Sequence, residues 1–304
     1  MRTAFIDELT NLARSNPNIF LIVGDLGFSV VEKFADEFPD RFLNAGVAEQ
    51  NMSGVAAGLA SEGYHVFTYS IANFPTTRCL EQIRNDICYH NLNATIVSVG
   101  GGVAYGNLGF SHHAIQDYAI MRGLPNMRIY SPGDPFETRA VLRAVCNNPG
   151  PSYLRLGKNG EPTYHQDIPF IQNIDNAFLH VAGPTDAKNA ILSTGASLEC
   201  AVSALSILPG KKWSVWSLPI WSKNCQNHIK RFIADHSLVL SIEEHLLQGG
   251  FGSFVRECLD DEGELQSKLK IMSIDDIVYG LVGSQKYLCN SAGLGVQNIL
   301  KKLI

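Results

Sequence analysis

The 304-residue sequence predicts an α/β protein of two domains, each a mainly parallel sheet flanked by helices. Three observations carry that expectation. Short β-type runs alternate with helical stretches through the first half of the chain. A segment rich in Gly, Pro, Asn and Asp then interrupts the pattern, and a second alternation follows.

In the first alternation the expected strands are residues 19–23, 65–69, 94–99, 128–131 and 153–156. Helices are expected at 3–14, 49–60, 76–90 and 134–146. The last of these opens on Ser131-Pro132-Gly133-Asp134-Pro135, which reads as a turn, an N-cap acid and a proline at the first helical position. Residues 157–176 contain Gly160, Pro162 and Pro169 and read as the junction. The chain is thus expected to divide into a first domain at 1–160, a linker at 161–176 and a second domain at 177–304. Beyond the junction, strands at 190–193, 213–218, 238–242 and 270–274 alternate with helices at 197–207, 249–259 and 294–303. No repeat or low-complexity tract is present.

Composition narrows the function classes. The net charge of −5 offers no basic footprint for nucleic acid. The apolar runs, such as 19–23, are too short to span a bilayer. Residues 1–10 carry two acids and no apolar signal core, so a cytoplasmic location is expected. Seven cysteines are scattered without a C-x-x-C pair, which argues for reduced thiols rather than a disulfide framework or structural zinc. Charged residues make up 17%, a charge-poor surface compatible with a large subunit interface.

The most informative stretch is Asn44-Ala45-Gly46-Val47-Ala48-Glu49-Gln50-Asn51-Met52. It closes a short strand and opens a helix of small residues: Ser53, Gly54, Ala56, Ala57, Gly58 and Ala60. Small residues allow close packing against another backbone, and a first-turn acid suits the helix dipole. The plain reading of Glu49 is an ordinary N-terminal helix glutamate.

Gly46-Val47-Ala48-Glu49-Gln50 followed by a small-residue helix resembles the signature of the pyrimidine-binding domain of transketolase-like thiamine enzymes. That resemblance implies that Glu49 hydrogen-bonds the ring nitrogen of the cofactor's aminopyrimidine and promotes the tautomer that accepts the C2 proton. It also implies the fold: a pyrimidine-binding thiamine domain followed by a transketolase C-terminal-like domain. Val23-Gly24-Asp25-Leu26-Gly27 resembles the loop after the family's first strand, with Asp25 opening it and Leu26 propping the bent cofactor. The same run lacks the full G-x-G-x-x-G of a dinucleotide site. Ser29 falls where the family has a serine near substrate phosphate, and it also reads as a helix N-cap.

An aromatic ring stacked on the pyrimidine is implied near residues 66–74. Phe74 is the first choice, and Tyr69 or Phe67 is open because the spacing differs by about one residue from related enzymes. Ser111-His112-His113, after a loop with five glycines at 100–113, resembles the family's T-H-Q, whose histidine faces the substrate. His112 is therefore implied as a binding or proton-transfer residue. Four positions earlier the family keeps a hydroxyl-reading Asp, and here stands Leu108, which puts the ordinary pentose-phosphate donors in question. Lys158 is implied as a phosphate grip, with Arg155 read as turned into the sheet edge. Glu243-Glu244-His245 and the Gly249-Gly250-Phe251-Gly252 run resemble a C-terminal domain whose role is assembly.

The family's diphosphate and metal motif, G-D-G followed by an Asn, has no counterpart in this sequence. The resemblance then implies a beta-type subunit of a split transketolase-like enzyme that transfers a two-carbon ketol unit between sugar phosphates. Thiamine diphosphate and Mg2+ would be held mainly by a partner subunit, with two chains of each kind. A 2-oxo acid decarboxylating or deoxyxylulose-phosphate-synthase-like carboligase subunit is the alternative, and a non-catalytic scaffolding subunit is a third.

Overall fold

The computed structural model describes residues 1–208, 212–259 and 263–303. Its strands are β1 (Ile19–Val23), β2 (Phe42–Asn44), β3 (His65–Ile71), β4 (Ala94–Val99), β5 (Arg128–Tyr130), β6 (Ser152–Leu156), β7 (Leu179–Ala182), β8 (Asn189–Ser193), β9 (Trp213–Ser217), β10 (Ile220–Trp221), β11 (Leu238–Leu246) and β12 (Leu269–Ile274). They form two sheets, ordered β10-β5-β6-β4-β3-β1-β2 and β12-β11-β8-β9-β7. Every pairing is parallel except β10 on β5 and β7 on β9.

Parallel strands covered on both faces should be apolar throughout, and every residue of β4 and β6 is buried. One buried polar pair lies in this layer at the start of β3. His65 Nε2 lies 2.9 Å from Thr95 Oγ1, and burial pushes its imidazole down to about 4, so it is neutral at neutral pH. The Arg2–Ser15 helix buries Phe5, Leu9 and Ala13, spaced four apart, against the sheet and the Pro135–Asn147 helix. Glu8 joins those helices through Arg143 at 2.7 Å.

The expected cap of the Pro135–Asn147 helix is present, because Asp134 accepts the Glu137 N–H at 2.7 Å and Pro135 holds the first position. Its second oxygen does something local sequence could not show. It accepts the backbone N–H groups of Tyr164 and His165 at 2.8 and 3.0 Å, pinning the segment that follows the first sheet.

The two sheets are not independent. The two-residue strand β10 follows β9 of the second sheet in sequence but completes the first sheet, with Ile220 and Trp221 opposite Tyr130 and Ile129. Arg155 is a larger departure from expectation. It lies in β6, flanked by β5 and β4, and points between the sheets rather than into an edge. Its guanidinium pairs with Asp117 at 2.8 Å, donates to Tyr118 Oη at 2.9 Å, and donates to the carbonyls of Ala114 and Glu244 at 2.7 and 3.0 Å. Tyr153 Oη donates to Asp117 at 2.6 Å. His245 stacks on Tyr118, and burial pushes its imidazole down to about 4. The Glu244 carboxylate accepts the Val103 N–H at 2.7 Å, and Gly102, at φ 67°, lies so close that a Cβ there would meet the carboxylate at 2.3 Å. Glu243 accepts the Phe251 and Gly252 N–H groups. The Glu243-Glu244-His245 run is therefore a packed joint.

The expected helix at 294–303 is present from Val296 to Leu303, after a kink at Ala292 and Gly293. A helix at Gln226–Ala234, not expected from sequence, covers the second sheet through Ile229 and Ile233. No helix among the described residues is long and apolar enough to cross a membrane. Among the described residues no disulfide joins any of the seven cysteines.

Candidate active site

The carboxyl ends of β1 and β3 meet the N-terminus of the Glu49–Ser61 helix. Crevices at such strand ends are where open α/β sheets bind ligands. Gly24, directly after β1, donates its N–H to Tyr69 O at 3.1 Å. A Cβ on Gly24 would lie 3.3 Å from Ser70 Oγ and 3.6 Å from Glu49 Cγ, so a glycine, a serine and the glutamate share one crowded corner.

The helix explains how Glu49 comes to be there. Met52, Ser53, Ala56, Ala57 and Ala60 form its buried stripe, at spacings of three and four. Glu49 occupies the next position of that same stripe, where an apolar residue would ordinarily sit. Its side chain is 1% exposed. Oε2 accepts Arg78 Nη1 at 2.8 Å, while Oε1 is buried with no hydrogen-bond partner among the described residues. Ser70 Oγ is buried and unpartnered in the same way. Two unpartnered buried oxygens thus share one corner, which a polar ligand would satisfy. The opposite face of the helix carries Gly54 and Gly58, where an added Cβ would meet no neighbouring element within 4 Å; the close approach expected of them does not occur among the described residues.

Phe74 lies just past β3 and is half-buried. The Arg78 guanidinium carbon sits 4.6 Å from its ring centre, and the His112 ring meets it edge-on at 5.4 Å. Glu49, Arg78, Phe74 and His112 thus form one contiguous cluster. His112 Nδ1 lies 3.0 Å from Ser111 Oγ. Asn73 fixes the loop that carries His112, donating to the carbonyls of His113 and Ser111 at 2.6 and 3.2 Å. The neighbouring His113 is buried, and burial lowers its pKa.

Tyr69 and Phe67 do not share this position. Both are in β3, fully surrounded: Tyr69 is 2% exposed and stacks on Phe5, while Phe67 stacks on His65. Neither has a face to offer a ligand, and both are core.

Asp25 is exposed in the left-handed region, at φ 55°. Asn44 secures it, donating to Asp25 Oδ1 at 3.0 Å and accepting the N–H groups of Asp25 and Gly46 at 3.1 and 2.9 Å. One amide thereby ties the loop after β1 to the loop that leads into Glu49. Leu26 is half-buried beside it. Ser29 is exposed at φ 62°, and its N–H donates to Glu32 Oε1 at 2.7 Å, so it is not capping a helix with its hydroxyl. Lys158 follows β6 and is half-buried. Among the described residues, no hydrogen bond or ion pair joins Ser29 or Lys158 to the Glu49 cluster. Leu108 and Phe110 are exposed in the loop before His112, and the Phe110 ring meets Tyr279 at 5.2 Å.

Sequence reasoning passed over Arg78 and Asn73. No local pattern signalled them, because Asn73 and Phe74 lie in the turn before the helix and Arg78 finds its partner 29 residues back. The expected helix at 76–90 is composite: a 3₁₀ turn at Thr77–Cys79, an α turn at Leu80–Gln82 and a π-helix at Ile83–Cys88. A separate cleft of about 630 Å³, lined by residues such as Arg122, Trp221, Lys223 and Phe254, lies at the opposite edge of the first sheet and holds none of these groups.

Residues 1–162 match the family described as the transketolase pyrimidine-binding domain. The chain is 34% identical to a transketolase C-terminal section from Methanocaldococcus jannaschii, with 100% of this chain and 95% of that protein covered. It is 32% identical to one subunit of the apulose-4-phosphate transketolase of Actinobacillus succinogenes, with 97% and 94% covered. A solved structure named as a split-gene transketolase, inactive beta4 tetramer, superposes with a TM-score of 0.84 at 31% identity, with 99% and 96% covered. By fold and sequence the chain belongs to the transketolase family, as a beta-type subunit of a transketolase-like enzyme.

Proposed function

We propose that this subunit supplies the pyrimidine side of a thiamine-diphosphate site and completes it with a partner chain to transfer a two-carbon ketol unit between sugar phosphates. The observation that carries the reading is the orphaned Oε1 of Glu49, buried within a cluster whose next members are an aromatic ring and a histidine. The residues fit an aminopyrimidine: a carboxyl oxygen for its ring nitrogen, a tight glycine corner at Gly24 and the Phe74 face for stacking. When bound, the cofactor supplies a carbon acid whose conjugate base attacks the donor carbonyl.

In this reading Glu49 Oε1 holds a proton against the pyrimidine nitrogen, in a pocket dry enough for that proton to be shared. Phe74 fixes the ring plane, and Asp25 and Leu26 shape the loop beneath the bend of the cofactor. His112, held by Asn73 through its loop and by Phe74 at its edge, orients the donor carbonyl or moves a proton there. Ser29 and Lys158 grip substrate phosphate. Residues 1–160 form the pyrimidine-binding domain, 161–176 the linker and 177–304 the assembly domain. Diphosphate and Mg2+ belong mainly to the partner, in an assembly of two chains of each kind in the cytoplasm. The partner reading is supported by relatives that this chain covers almost end to end and that are named as one subunit of a transketolase or as a split-gene protein.

The experiment is calorimetry of thiamine diphosphate with Mg2+. The isolated chain is expected to bind at least about 100-fold more weakly than the chain mixed with its partner, because two or more charge-assisted contacts to the diphosphate are missing. Equal affinity with and without the partner sinks the shared-site reading.

Leu108 sets a second expectation. A site that lacks a hydroxyl-reading acid discriminates weakly at that hydroxyl, by about 100-fold or less, where a hydrogen-bonding site reaches about 10⁴-fold. A kcat/KM series over ketose phosphates, their deoxy analogues and the free sugars measures this. Deoxy or inverted donors should stay within that margin, and phosphorylated donors should be preferred. Strict selection of the ordinary pentose-phosphate donor would show another group reading the hydroxyl.

A further inference from the structure

Arg78 makes two contacts in the Glu49 corner, one to the same carboxylate, through its other oxygen, and one to the same ring that are proposed to meet the aminopyrimidine. One Nη1 hydrogen donates to the Glu49 carboxylate at 2.8 Å, and the planar guanidinium lies over the Phe74 ring at 4.6 Å. A guanidinium is flat, rich in N–H donors and prone to stack on aromatic faces, so it resembles a protonated aminopyrimidine in the features this corner reads. We propose that Arg78 is a resident stand-in for the cofactor ring, filling the Glu49–Phe74 clamp in the cofactor-free chain and leaving it when the ring enters. The proposal rests on the reading of Glu49 and Phe74 given above.

Two asymmetries favour exchange over permanent residence. Glu49 is 1% exposed and anchored at the start of a packed helix, whereas the Arg78 side chain is 46% exposed and enters from the solvent side. The glutamate is fixed and the arginine can swing. A carboxylate buried without a counter-charge is costly, and the Arg78 guanidinium supplies that charge to Glu49. The occupant is imperfect, because Glu49 Oε1 and Ser70 Oγ remain unpartnered beneath it. A ring that supplies a partner for Oε1 outcompetes a guanidinium that does not. The guanidinium lies over the Phe74 ring proposed to stack on the aminopyrimidine, so arginine and cofactor ring compete for that aromatic surface.

The test uses the full chain assembled with its partner, and thiamine diphosphate with Mg2+ as the probe. Arg78→Ala is expected to bind the cofactor at least about 10-fold more tightly than wild type, because the ring no longer has to displace an ion pair and now rescues an uncompensated buried acid. Its melting temperature should fall in the cofactor-free assembly and match wild type in the loaded one. Arg78→Lys keeps the charge without the stacking plane and should fall between the two. It also serves if the alanine variant does not fold. Unchanged or weaker cofactor binding in both variants, or an equal loss of melting temperature with and without cofactor, overturns the stand-in. Glu49→Ala separates the two ideas. If that variant binds the cofactor like wild type, the reading of the clamp itself fails, whatever Arg78 does.

Discussion

Glu49→Gln is expected to leave the chain folded and assembled while slowing turnover by about 10²- to 10⁴-fold, the span of a lost general acid–base contribution. The amide keeps the shape of the carboxylate and can still accept from Arg78. It cannot share a proton with the pyrimidine nitrogen. Hydrogen–deuterium exchange at the cofactor's C2 carbon in the assembled enzyme reads this step directly, apart from substrate binding. Exchange at the wild-type rate would remove Glu49 from the proposed role. A parallel loss of assembly would show that the carboxylate is structural.

Arg155→Leu should produce the largest loss of stability. The substitution strips Asp117 of its counter-charge and removes one donor each from the carbonyls of Ala114 and Glu244 at the joint between the sheets. Breaking one side of a buried pair costs about 3–5 kcal/mol. For a chain of this size that corresponds to a fall in melting temperature on the order of 10 °C. Thermal melts of Arg155→Leu and of the double variant Arg155→Leu, Asp117→Leu measure it. The double variant should recover much of the loss, because it removes the stranded charge as well. A fall of about 1 °C or less in the single variant would mean that β10 and the Glu244 latch hold the joint unaided.

How much of this could be read from the sequence depended on the distance over which each feature is specified. The strands of the first sheet were legible because buried parallel strands are short apolar runs bounded by turns. The Asp134 cap was legible because its partner is three residues away. Glu49 was legible in two ways, by family resemblance and as an acid at the head of a small-residue helix. Arg78 was not assigned, because its partner lies 29 residues back and meets it only once β3 and the Glu49–Ser61 helix are packed. The aromatic choice stayed open for a related reason. In a strand covered on both faces, alternation carries no information about which ring points to a site, and β3 is buried from His65 through Ser70. What separates Phe74 from Tyr69 is position: Phe74 lies beyond the strand end, where the loops converge. β10 was missed because two residues give no periodicity, and Arg155 was misjudged because the space between the sheets is not encoded in either one alone.

The π turn at Ile83–Cys88 has a consequence for the register of this corner. One residue of helix corresponds to about 100° of rotation and about 1.5 Å of rise. Were the segment shortened by one residue to regular α form, the stretch before it and the stretch after it could no longer both keep their facings. Either Ile87 and Cys88, now fully buried, would turn away from the core, or Arg78 would rotate off the Glu49 side. The surplus residue acts as a phase shifter. It lets one helix serve the hydrophobic layer at its far end and a polar cleft at its near end, two demands that an unbroken period of 3.6 would set out of step.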